Sequence, residues 1–130
     1  MSMMTGEPLL PEVVRAFILK YVDSVAELEA LLLTHSTPDQ AWDLGQLAGR
    51  LYIGEREAEE VLHALHRRGL LAREGKAFRY APVPDTLRVD VDALAEAYPR
   101  FLIPISNLVH SKPAASLRQF ADAFRLREDK

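Results

Sequence analysis

Apolar residues recur at three- and four-residue steps along most of this chain and change to strict alternation only once. The first helical stripe is Val13, Val14, Phe17, Ile18 and Tyr21, which Pro11 is placed to open. Ser24 followed by Glu27 has capping-box spacing, so a second helix, or a restart of the first, should run through Leu28, Leu31 and Leu32 to about His35. Ser36 to Asp39 reads as a loop. Asp43 and Gln46 repeat the cap spacing ahead of Leu44, Leu47, Ala48 and Leu51, the buried side of a short helix. Gly54 stands at the next cap position, with Ile53 and Ala58 spaced as a hydrophobic staple. The helix that follows should bury Ala58, Val61, Leu62 and Leu65 and stop near Gly69.

Beyond Gly69 the period changes. Leu70 to Arg73, then Glu74-Gly75, then Lys76 to Tyr80 has the form of a β-hairpin, with Phe78 and Tyr80 on the packed face and Gly75 in the turn. Pro82 and Pro84 close that unit. Helical spacing then returns over Asp90 to Ala97 and continues as Leu94, Tyr98, Phe101, Leu102, Ile105, Leu108 and Val109. Pro99 and Pro104 interrupt this stripe, which predicts a kink or a fresh helix from Pro99. Leu117, Phe120, Ala121 and Phe124 define a last amphipathic helix. The chain thus divides into an N-terminal helix (1–23), a central unit (24–84) and a helical extension (85–130).

Composition narrows the possible chemistry. With 130 residues, 48% of them hydrophobic and 27% charged, the chain suits one packed domain. It has no cysteine, which excludes disulfides, thiolate metal sites and a thiol nucleophile. Met1 to Leu10 lacks a basic segment followed by a long apolar one, and no apolar run reaches membrane-span length, so a cytoplasmic location without membrane contact is expected. The net charge is −3, and its distribution is uneven. Residues 1–40 carry six acids against Arg15 and Lys20, whereas residues 41–81 carry seven bases against six acids.

The order helix, short helix, tight turn, helix, hairpin resembles the winged helix-turn-helix superfamily, in particular bacterial transcriptional regulators. The resemblance covers roughly residues 24–81. Its most telling stretches are Asp43-Leu44-Gly45-Gln46-Leu47-Ala48, Gly54 to Leu65, and Arg67-Arg68-Gly69-Leu70-Leu71. One departure lies at the turn, where the family often has glycine and this chain has Tyr52. The implied architecture is mainly α: a three-helix core plus a β-hairpin wing, with added N- and C-terminal helices. The implied function is DNA-binding transcription regulation, with helix 54–67 in the major groove of double-stranded DNA and wing 71–81 beside the backbone. Carried onto this chain, the reading surface is Arg56, Glu59, Glu60, His63 and Arg67 with Glu55, and the phosphate contacts are Arg68, Arg73, Lys76 and Arg79.

The alternative is a winged-helix module that binds protein. Glu55, Glu57, Glu59 and Glu60 crowd the end of the helix that would approach a polyanion, where each unpaired carboxylate is repulsive. The bland reading is that acids in a first turn face the helix dipole and that Arg56 pairs with Glu60. Tyr98, Phe101, Leu102, Ile105, Leu108 and Val109 offer more apolar surface than the central unit needs. They fit either a homodimer interface or packing within the chain on Val14, Phe17 and Ile18.

Other candidates carry less. His63 and His66 are three apart on one helix, a metal-ligand spacing, but satisfied surface histidines are the simpler reading and no metal or other cofactor is expected. His35 and His110 stand where side chains cap helix carbonyls. Gly45 and Gly49 read as a close-packing pair, and Asp90 and Asp92 as the solvated start of a helix rather than paired catalytic acids. With no phosphate loop, nucleophile elbow, metalloprotease helix or dinucleotide fingerprint, no enzyme is expected.

Overall fold

The computed structural model describes residues 9–112. Its elements are α1 (Glu12–Tyr21), α2 (Val25–Ser36), α3 (Leu44–Leu51), α4 (Glu55–Arg67), β1 (Leu71–Glu74), β2 (Ala77–Tyr80), α5 (Asp85–Ala97) and α6 (Leu102–His110). Together α2, α3, α4 and the hairpin form a winged helix-turn-helix, and α1 packs against α5 and α6 as a helical layer. The expected helix through Leu117 and Phe124 lies outside the described residues.

Local chemistry sets the helix starts. At α3 the capping box is complete: Gln46 N–H donates to Asp43 Oδ1 at 2.8 Å, and Asp43 N–H donates to Gln46 Oε1 at 3.1 Å. At α2 the box is displaced by one residue. Ser24 Oγ accepts from Glu27 N–H, but the Glu27 carboxylate reaches Asp23 N–H at 2.7 Å instead of the cap residue's own. Helix α4 starts from Gly54 without a side-chain cap and ends at Gly69, whose φ is +82°. A Cβ there would meet Val83 O at 2.9 Å, so only glycine lets the chain leave α4 this closely.

The hairpin pairs Leu71 with Tyr80 and Glu74 with Ala77, which leaves a two-residue turn at Gly75-Lys76 with Gly75 at φ +63°. Trp42 adds an isolated antiparallel β-bridge that the alternating pattern did not reveal. It exchanges both backbone hydrogen bonds with Phe78, at 2.7 and 2.8 Å, and so fastens the wing to the residue just before α3.

Several expectations change at the second half. Helix α5 begins at Asp85 rather than Asp90, because Leu87 and Val91 extend the buried stripe of Leu94 and Ala97 backwards. Asp92 therefore lies mid-helix, where its Oδ1 is 2.8 Å from His35 Nε2, and His35 ties α2 to α5 instead of capping a carbonyl. Of the two outcomes expected of the proline pair, a fresh helix forms rather than a kink, beginning at Leu102 rather than at Pro99. Pro99 lies in the connection, and Pro104 is the third residue of α6, where a missing N–H removes no intrahelical bond. Gly45 and Gly49 are exposed and do not pack helices together.

The apolar stripe of α6 resolves in favour of packing within the chain. Phe101, Ile105 and Val109 are buried in one core with Val14, Phe17 and Ile18, so they are not available as a dimer surface. Leu102 stays exposed, and Tyr98 and Leu108 are half-buried. A charged network closes the same core. Arg68 donates to Glu27 at 2.6 Å, to Tyr21 O at 2.8 Å and to Asp23 at 2.9 Å. Lys112 Nζ lies 3.1 Å from Asp23 and donates to the carbonyls of Ile18, Leu19 and Val22 at the end of α1. The Asp23 and Lys112 side chains are each 4% exposed.

Two stability outcomes follow from these contacts. Arg68→Met leaves Glu27 and Asp23 without their shared guanidinium, and urea unfolding should report a loss of roughly 3 kcal/mol, as for breaking a buried ion pair. A loss within about 0.5 kcal/mol, the usual surface value, would show the network to be inert. Tyr52 is the second case: it sits at φ 58°, ψ 43°, a left-handed conformation that is costly for a residue with a Cβ. Because its side chain is free of the core, Tyr52→Gly should raise stability by about 0.5–1 kcal/mol, after the glycine's extra unfolded-state entropy is set against the relieved strain.

Candidate nucleic-acid interface

The apolar side of α4, made by Ala58, Val61, Leu62 and Leu65, is fixed in the core, so its polar side must face outward. That side presents Glu55, Arg56, Glu59, Glu60, His66 and Arg67 as exposed residues, with His63 half-buried at the wing. Arg56 Nε lies 3.8 Å from Glu60, and His63 Nε2 lies 3.9 Å from Glu59, both one helical turn apart. These are weak exposed pairs that a ligand can displace.

Phe78 organises the junction between helix and wing. The rings of His63 and His66 meet it edge-on, with centroids at 5.5 and 5.7 Å, and the Arg73 guanidinium lies over it at 5.9 Å. His66 donates Nδ1–H to Leu71 O at 2.9 Å. The two histidines thus pack the wing onto α4, and among the described residues no group of three or more His, Asp or Glu side chains is arranged to hold a metal ion. Between α4 and the wing runs a crevice of about 150 Å³ with Leu44, Leu62 and Phe78 as floor and Glu59, His63, Arg73 and Lys76 as rim. Phe78 and Leu44 belong to this site and were read from the sequence only as core. The signal for the missing bridge was the chain's one tryptophan, placed immediately before the Asp43 cap.

The four expected phosphate contacts are held in four different ways. Lys76 is exposed at the hairpin tip and, among the described residues, makes no ion pair. Arg73 is exposed and hydrogen-bonded to Gly75 O at 3.0 Å, which stiffens it along the wing. Arg79 is held by Glu74 through bonds of 2.8 and 3.2 Å. Arg68 must be withdrawn from the contact set, because its guanidinium points into the chain to Asp23 and Glu27. Without it the outer face of α4 and the wing carries Arg56, Arg67, Arg73, Lys76 and Arg79 against Glu55, Glu57, Glu59, Glu60 and Glu74. Charge on the face is balanced, with its cations gathered at the wing and the end of α4.

The hydrogen bond from Arg79 holds the Glu74 carboxyl below its usual value of 4.5. Any stability this pair confers is present above the unfolded value and is lost as pH falls through the depressed folded one. A carboxyl titration by NMR should place the Glu74 midpoint below 4.5 and return it upward in Arg79→Gln. An unchanged midpoint in that variant would mean that the pair does not persist in solution.

No protein-family model matches the chain, and no curated protein does. A solved structure described as a MarR family protein from Bacillus stearothermophilus aligns over 97% of this chain and 77% of its own length, with 17% identity and a TM-score of 0.37. That likeness is too low to place the chain in a family. The winged helix-turn-helix assignment rests on the order, caps and packing of the chain's own elements.

Proposed function

We propose that this protein is a DNA-binding transcriptional regulator of winged-helix type, with α4 in the major groove and the β1–β2 wing beside the backbone. The observation that carries this reading is the uncovered polar side of α4 set directly beside a wing that projects Arg73 and Lys76. Arg56, with a side chain 92% exposed, leaves a weak partner in Glu60 to meet a guanine edge. Lys76, Arg73 and Arg67 neutralise phosphates. The reading involves no catalysis and no cofactor. It places the protein in the cytoplasm as a homodimer, with Leu102 and Ile103 as exposed apolar residues of α6 and Leu108 half-buried beside them.

The carboxylates of α4 favour a second reading, a protein-binding module with an acidic contact helix. Salt separates the two, because phosphate neutralisation weakens steeply with ionic strength and an apolar protein interface scarcely responds. Selection from genomic fragments at low salt, followed by anisotropy titrations, should yield saturable binding. Arg56→Ala should cost roughly 1–3 kcal/mol on the selected site alone, and Lys76→Ala should weaken all sequences alike and flatten the salt slope. Glu59→Gln with Glu60→Gln should strengthen non-specific binding by removing repulsion. No saturable binding at low salt, or indifference to all these substitutions, would favour the acidic protein-binding helix. Light scattering that finds a monomer at high concentration would remove the dimer.

A further inference from the structure

The strained turn borders a second surface. Tyr52 is the left-handed C-cap of α3, where its own N–H and that of Ile53 donate to Ala48 O, and its side chain is 94% exposed. Beside it runs an open trough of about 470 Å³ between α2, the end of α3 and the end of α5, bounded by Glu29, Leu32, Leu33, Arg50, Tyr52 and Tyr98. None of these residues lines the crevice at the wing.

The chemistry of the trough narrows what fills it. Leu32 and Leu33 give an apolar floor, and Tyr52, Tyr98 and Arg50 are the residue types that dominate binding energy at protein interfaces. Arg50 is exposed and, among the described residues, has no hydrogen bond or ion pair. Glu29 supplies the opposite charge and is close enough to Tyr98 to help burial push that phenol upward. A small ligand would stay largely uncovered in so open a trough, whereas bound small molecules are mostly enclosed. A segment of another protein carries its own cover.

We propose that this trough is a docking site for a partner protein, whose contacting segment places an apolar side chain between an acidic and a basic residue. The apolar group seats on Leu32 and Leu33 against the Tyr52 ring, the acid pairs with Arg50 and the base with Glu29. The left-handed cap of α3 presents the Tyr52 ring at the rim.

The test uses the full chain and a displayed library of random 16-residue peptides, with enriched peptides then titrated by fluorescence anisotropy. Enriched sequences should share an acid, an apolar residue and a base. Tyr52→Gly, which should make the protein more stable, should nevertheless weaken them at least tenfold. Arg50→Glu should abolish binding, and exchanging the peptide's acid for lysine should restore it, a rescue that loss of structure cannot produce. DNA affinity should be unchanged in Tyr52→Gly, so failure here and failure of the DNA-binding reading are told apart. The proposal is overturned if no peptide depends on both Tyr52 and Arg50, or if charge exchange fails to rescue. It is also overturned if Tyr52→Gly abolishes self-association, making a second copy the occupant, or if it weakens DNA binding.

Discussion

The Arg68 guanidinium is the point at which the two halves of the molecule meet. It closes α4 against the junction of α1 and α2 through Asp23, Glu27 and the Tyr21 carbonyl, while Lys112 brings the end of α6 to the same carboxylate. Buried charge is costly unless matched, and here two cations and two carboxylates are brought together with backbone carbonyls that α1 leaves open at its end. The orientation of α4 relative to the helical layer depends on this match. A displaced Arg68 would leave Glu27 and Asp23 facing an apolar core, so the arrangement tolerates little drift. Helix α4 is thereby fixed from its far end, away from the residues it presents to solvent.

What the sequence made legible was local. Asp43 with Gln46, Ser24 near Glu27, Gly69 after α4 and Gly75 in the hairpin each act within a few residues, and each stands where its spacing placed it. The departures that reshape the candidate site involve long separations. Arg68 was read as a surface base beside Arg67, yet its partners lie 41 to 47 residues earlier in the chain. Asp92 looked like part of a helix start and instead meets His35, 57 residues away. Trp42 and Phe78 form an isolated bridge too short to leave an alternating pattern. For α6, periodicity identified the apolar stripe but could not say whether α1 or another molecule covers it.

The same limit explains the candidate site. Exposure of Arg56, Glu59, Glu60 and Lys76 could be read from helical and strand periods, because their neighbours are bound to face the core. Which charges remain free could not. Removing Arg68 to the interior and tying Arg79 to Glu74 leave a face whose cations stand mainly at one side, beside four carboxylates at the start of α4.

The two-residue turn of the hairpin sets the reach of the wing. Four residues per strand extend roughly 13 Å at the usual rise, so the arm is about as long as the helix it flanks is thick. Gly75 and Lys76 form its tip, and Trp42 anchors the arm through Phe78. An arm this short and this firmly rooted behaves as a fixed bracket rather than a sweeping finger. It holds Arg73 and Lys76 at a set distance from α4, so whatever the helix meets must present its next recognisable feature at that spacing.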